Sequence, residues 1–254
     1  MRLLRQLVPQ WCVGALCAGC LLALTGFAPS EAMTGQPPIT RLKPNIDAPP
    51  QNADLVQDDS SMVYIANGRG VMMFDGEIWQ LLPLPNGDVV STVAYDGHAR
   101  IYVGAHNMLG YLERDATGWP TFHDLTPLFK DALKGEEFGD LTGLVISSAG
   151  VFWTSTYRAF RYDPATQAVA LWSLPGRFGA ITLLDGVPVL QFRGEGLRRF
   201  EGSDWVALPG SGQLSELAFD LAPLPDGGIL SMSSDGHWRE YKNGAVHERT
   251  MPRG

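Results

Sequence analysis

Beyond residue 20 the chain has no cysteine. Cys12, Cys17 and Cys20 are its only three, and all lie in one apolar stretch near the start. The residues that follow therefore carry no disulfide and no thiol chemistry, and must be held together by their core. His98, His106, His123, His237 and His247 never pair at H-x-x-x-H spacing, so no metal site is readable and no cofactor is expected. No G-x-S-x-G elbow is present. Gly68-Arg69-Gly70 and Gly194-Glu195-Gly196 lack the third glycine and the Lys-Ser/Thr of a phosphate loop. Lys134-Gly135-Glu136-Glu137-Phe138 echoes a nucleotide-cyclase signature but has one glycine where two are needed. No catalytic residue set emerges, and the chain is expected not to be an enzyme. Positive charge is scarce as well: the net charge is −8. Arg2, Arg5 and Glu31 give the first 32 residues +1, which leaves −9 on the remainder. An acidic domain without basic runs does not seek nucleic acid or anionic lipid.

The start of the chain reads as an address. Arg2 and Arg5 precede an uncharged apolar stretch from Trp11 to Ala28, followed by small residues that offer cleavage after Ala28 or Ala32. Charged start, apolar middle and small-residue exit describe a secretory signal peptide over 1–32, with an uncleaved anchor as the alternative. After residue 32 no apolar run is long enough to span a bilayer, so contact with membrane is expected only through this segment. The domain is expected outside the cytoplasm, in a periplasm or beyond. Residues 33–54 hold five prolines and no apolar periodicity, which predicts an extended linker.

What is abundant from residue 55 to 252 is repetition. A short apolar run with an aromatic, a Gly-bearing or polar turn, and a second apolar run recur five times. Taking Tyr64, Tyr102, Phe152, Leu190 and Leu230 as equivalent, the spacings are 38, 50, 38 and 40. A period near forty carried by short strands is the mark of propeller blades, none of which can bury both faces alone. In the second unit Ser91–Tyr95, Arg100–Ala105, Leu109–Glu113 and Trp119–His123 read as four antiparallel strands separated by turns such as Asp96-Gly97. The predicted fold is all-β: a partial or small β-propeller of about five four-stranded blades. Tyr64, Tyr102, Phe152, Trp153, Phe160 and Phe200 are expected between blades, and most Asp residues in turns, where they hydrogen-bond locally. The one long interval contains 124–140. There Leu125, Leu128, Phe129, Ala132 and Leu133 have helical spacing up to Gly135, which predicts a short inserted helix.

The units Val93-Ala94-Tyr95-Asp96-Gly97…Ile101-Tyr102-Val103-Gly104…Gly110-Tyr111-Leu112 and Gly70-Val71-Met72-Met73-Phe74-Asp75-Gly76-Glu77-Ile78-Trp79 resemble two-component regulator propeller repeats. The resemblance implies the exported sensor part of a bacterial signalling protein, whose output half is a histidine kinase, a diguanylate cyclase or a DNA-binding regulator. With about five units and no output module, the chain is expected to be a fragment of such a protein, and its partners the remaining blades and output module. Asp115-Ala116-Thr117-Gly118 with the preceding strands also resembles quinoprotein-type propeller repeats, which implies the alternative of an envelope scaffold that binds another protein.

In a propeller, the loops between the second and third strand of each blade share one face near the axis. That places Asn67 and Arg69, His106 and Asn107, Tyr157 and Arg158, Arg193 and Glu195, and Asp235 and His237 together as candidate ligand-binding residues. Guanidiniums, imidazoles and amides there suit a small polar ligand such as a glycan.

Overall fold

A computed structural model describes residues 39, 41–85, 89–173, 177–216, 218–233 and 236–250. The expected signal peptide, with its three cysteines, lies outside the described residues. The chain divides into two units, Met1–Lys43 and Pro44–Gly254, and all regular structure described here belongs to the second.

Among the described residues twenty strands form five four-stranded antiparallel sheets, each a meander in chain order. Blade one is β1 Asn52–Gln57, β2 Val63–Asn67, β3 Gly70–Phe74 and β4 Trp79–Leu82. Blade two is β5 Val90–Tyr95, β6 Ile101–Ala105, β7 Met108–Arg114 and β8 Pro120–Asp124. Blade three is β9 Leu141–Ser147, β10 Gly150–Ser155, β11 Arg158–Tyr162 and β12 Val169–Ser173. Blade four is β13 Phe178–Leu184, β14 Val187–Phe192, β15 Gly196–Glu201 and β16 Asp204–Ala207, and blade five is β17 Ala218–Leu224, β18 Gly228–Ser233, β19 Trp238–Lys242 and β20 Ala245–Arg249. The first strands pack side by side, β1 on β5, β5 on β9, β9 on β13 and β13 on β17, so they are the inner strands of a propeller. β1 begins at Asn52, inside the stretch 33–54 expected to be linker. Its alternation of exposed and half-buried residues carries little apolar signal, which is why its start reads as linker.

Each blade buries one face against the next. Tyr64, Val71 and Met73 of blade one meet Val93, Ile101 and Val103 of blade two. Tyr102 and Leu109 meet Trp153 and Phe160 of blade three, and the Trp153 indole donates 3.1 Å to the Val103 carbonyl. Phe152 meets Phe200 and Trp205 edge-on, at 4.8 and 5.8 Å between centroids. Each such side chain contributes about 1.5–3 kcal/mol of burial. All six aromatics expected between blades are buried.

Two expectations shift by small amounts. The residue of blade four equivalent to Tyr64 is Val189, not Leu190: Tyr64 stands three residues before Asn67 and Val189 three before Phe192, the residues that pair with the inner strand ahead of its bulge. Val189 and Leu190 are both fully buried, so apolar pattern cannot fix the register, and a slip of one residue exchanges the two faces. In the insert, a 3-10 turn, Thr126–Phe129, runs into one α-helical turn, Lys130–Leu133. Leu125, Phe129 and Leu133 bury against blade three as a strict i, i+4 row, while Leu128 and Ala132 face outward. Among the described residues no helix is long and apolar enough to cross a membrane.

Candidate functional site at the axis

Every inner strand is broken at the same level. Register is interrupted between Asn52 and Asp54, between Val90 and Thr92, around Thr142, between Phe178 and Ile181, and between Ala218 and Asp220. One extra residue bends a strand and re-aims its side chains. Five aligned bulges therefore open the propeller around its axis. The result is a cavity of about 430 Å³ walled by residues of all five inner strands, among them Ala53, Asp54, Ser91, Thr92, Thr142, Gly143, Gly179, Ala180, Ala218 and Asp220.

The same residues latch blade to blade. Asp54 Oδ2 accepts from the Thr92 hydroxyl and the Val93 amide, both at 3.0 Å, and Oδ1 accepts from the Leu55 amide at 2.8 Å. The Ser91 hydroxyl donates to the Leu141 carbonyl of blade three at 2.6 Å. Blade four reaches blade five through Gln191, fully buried, whose Oε1 accepts from the Ala218 amide at 2.7 Å. Blades three and four touch so closely at Gly143 that a Cβ there would lie 2.6 Å from Ile181 Cγ2. Behind Gly143 the Thr154 hydroxyl is fully buried and has no hydrogen-bond partner among the described residues. The cavity wall thus combines hydroxyls, two carboxylates and close backbone, with no Lys or Arg among its residues.

The residues expected from the loops stand elsewhere, mostly in structural work. Asn67 is fully buried, and its Nδ2 donates to the Pro49 and Gln51 carbonyls at 2.8 and 3.1 Å and to Asn52 Oδ1 at 2.8 Å. Arg69 pairs with Asp47 at 2.5 Å. His106 Nδ1 lies 2.7 Å from Asp140 Oδ1. Asn107, at a positive φ of 52°, accepts from the Phe138 and Gly139 amides at 2.8 and 2.7 Å. Arg158 pairs with Glu136, and Glu195 with Arg198. His237 is exposed, with Nδ1 3.8 Å from Glu248. Asp235 lies outside the described residues. Tyr157 is half exposed and receives a 3.5 Å hydrogen bond from Arg177 Nε, and the Arg193 amide donates to the Arg177 carbonyl at 3.1 Å. None of those described lines the axial cavity. Asn107 lines a separate crevice of about 520 Å³ under the insert, with Lys130, Leu133 and Phe138.

Tyr157 and Arg193 nevertheless converge with Arg177 directly beside the cavity. Thr156 and Phe178 line it and are joined by a 2.9 Å bond from the Phe178 amide to the Thr156 carbonyl. A third crevice, about 440 Å³, sits between blades one and two at the opposite end of the strands, and includes Asp58, Tyr64, Tyr95 and Arg114. Burial pushes the Tyr64 hydroxyl pKa up, opposed by Arg114 and reinforced by Asp58.

Comparison with known proteins extends this description. No protein-family model and no curated protein matches the sequence. Solved structures do share the fold. Virginiamycin B lyase from Staphylococcus aureus is 14% identical, with a TM-score of 0.63 over 80% of this chain and 70% of the lyase. The extracellular domain of a hybrid two-component system protein from B. thetaiotaomicron is 16% identical, with a TM-score of 0.55 over 77% of this chain. The extracellular domain of a one-component system protein from the same organism is 13% identical, with a TM-score of 0.58 over 78% of this chain. This chain spans only 29% and 27% of those two domains. At such identities the likeness is one of fold: a β-propeller, the architecture of these extracellular domains of one- and two-component system proteins. It also corrects the expectation that the chain is not an enzyme. A lyase carries this fold, so the absence of sequence motifs for catalysis does not set the class of the molecule.

Proposed function

We propose that this chain is an exported sensor propeller that takes a small polar ligand, such as a sugar, into its axial cavity. The observation that carries the reading is the alignment of five bulges around one polar cavity, since a bulge re-aims the side chains beside it and here all five border the same space. Hydroxyls and carboxylates there offer directional hydrogen bonds, and Phe178, Ile181 and Leu144 supply an apolar wall. The shared fold with extracellular domains of one- and two-component system proteins supports placing such a propeller outside the cytoplasm as the sensing part of a longer signalling protein. Its partner is then the output module of that protein, with further blades beside the five described.

A thermal-shift screen of sugars and small polar metabolites tests the reading, run in parallel on an Ala53→Trp variant. Ala53 is exposed at the bulge of β1, so an indole there fills the cavity without disturbing a core. Compounds that raise the wild-type midpoint are expected to leave the variant unmoved. Equal shifts in both proteins would place binding elsewhere and reject the axial site.

A further inference from the structure

The charges around the axial cavity are separated. Asp54 and Asp220 come from equivalent post-bulge positions of blades one and five, the carboxylate side of the wall. Asp54 is fully engaged by its neighbours, whereas Asp220 is exposed and, among the described residues, accepts only from the Leu221 amide, through Oδ1 at 2.7 Å. Across the axis, Arg177 and Arg193 meet on neighbouring backbone beside Thr156 and Phe178 of blades three and four. Both guanidiniums belong to exposed residues, and among the described residues no carboxylate lies within ion-pair distance of either. The Arg177 guanidinium meets only the neutral Tyr157 hydroxyl, so no described carboxylate compensates the positive charge on this side of the cavity. Elsewhere among the described residues Arg69, Arg100, Arg158, Arg161, Arg198, Arg239 and Arg249 have acidic partners, whereas Arg41, Arg114 and Arg199, like the two at the mouth, have none, but none of those three neighbours the cavity lining. Between the two charged sides, Phe178 and Ile181 present apolar surface.

Resting on the axial-site reading above, we infer that the ligand is a zwitterion: a small molecule with an ammonium end toward Asp220, an anionic end toward Arg177 and Arg193, and a short aliphatic body between them. A carboxylate is the anion that suits a forked guanidinium donor. The chemical class is that of amino acids, with the neutral sugar as the competing outcome.

Isothermal titration with a matched set of probes tests this: ω-amino acids from β-alanine to 6-aminohexanoate, hexylammonium, hexanoate and maltose, each to about 10 mM so that millimolar affinity is seen. At least one ω-amino acid is expected to bind, and hexylammonium and hexanoate to bind at least roughly tenfold more weakly. Asp220→Asn and Arg177→Gln, both exposed and safe for folding, are each expected to weaken that amino acid by a similar factor, and Ala53→Trp to abolish it. Binding of maltose but no amino acid, lost in Ala53→Trp and retained in Asp220→Asn, would overturn the zwitterion and leave the axial site standing. Amino-acid binding that survives Ala53→Trp would overturn both. No binding by any probe would overturn the zwitterion.

Discussion

The two faces of this propeller are built by different rules. On the face formed by the turns between first and second strands and between third and fourth, the turns of blades one to three are closed mostly from within, by an Asp side chain. Asp96 Oδ1 accepts from the amides of His98, Ala99 and Arg100 at 2.9–3.1 Å. Asp58, Asp75, Asp115 and Asp163 do the same over two to four residues. On the other face, side-chain amides hold distant chain. Asn107 secures the segment that enters β9 from more than thirty residues away, and Gln191 secures the one that enters β17. Local closure makes the first face a set of independent turns. Long-range clamping by Asn67, Asn107 and Gln191 makes the second face a collar that fixes the starts of β1, β9 and β17, which a precise axial cavity requires.

Breaking the collar is expected to cost most. Gln191→Ala removes a fully buried amide and strands the Ala218 N–H and the Leu214 and Glu216 carbonyls, at about 3 kcal/mol. A lower urea midpoint with unchanged slope would report it. Asn107→Ala, half-buried, should cost about 2 kcal/mol by the same measurement. The turn face is cheaper to damage: Asp96→Ala should lose about 1 kcal/mol, since water can replace the local acceptor. If Asp96→Ala proved costlier than Gln191→Ala, the contrast between the faces would fail. Arg69→Ala should cost under roughly 1 kcal/mol, because its pair with Asp47 is exposed.

The turn face also sets the acid response. Asp75 is held below the usual carboxylate pKa by the Ile78 and Glu77 amides, Asp115 by the Thr117 hydroxyl and the Trp119 amide, and Asp163 by the Thr166 hydroxyl and the Ala165 amide. Their folded pKa values lie below the unfolded value of about 3.9. The stability they contribute is therefore complete above that pH and is lost as pH falls through the folded values. A thermal midpoint that is level from neutrality to mild acid and then drops is expected, with a shallower drop in the Asp75→Asn, Asp115→Asn, Asp163→Asn triple variant.

The same contrast explains what could be read from sequence. The Asp-Gly turns, the paired apolar runs and the forty-residue period are local, so blade number, strand positions and interblade aromatics were legible to within a few residues. Clamps are not local. Asn67, Asn107 and Arg158 were read as ligand contacts because a polar residue in a loop looks the same whether it meets solvent, ligand or distant backbone. The axial residues were missed because a bulge is a relation between two strands, and Ser91-Thr92 alone reads as ordinary alternation. One signal was present: Asp54 and Asp220 recur just ahead of the apolar run of the first strand in units one and five. A carboxylate at the start of a strand that faces the core is a residue strand propensity disfavours.

The most direct test of the axial cavity uses the absence of cysteine after residue 20. A Thr156→Cys variant of residues 33–254, which omits the three native cysteines, carries a single thiol in the cavity wall, and its reaction with a small methanethiosulfonate reagent can be followed under native conditions. The account predicts that the folded protein reacts without prior unfolding and that the modified protein no longer responds to any compound that stabilises the unmodified one. A thiol that stays unreactive until urea unfolds the domain, or a labelled protein with an unaltered ligand response, would contradict it.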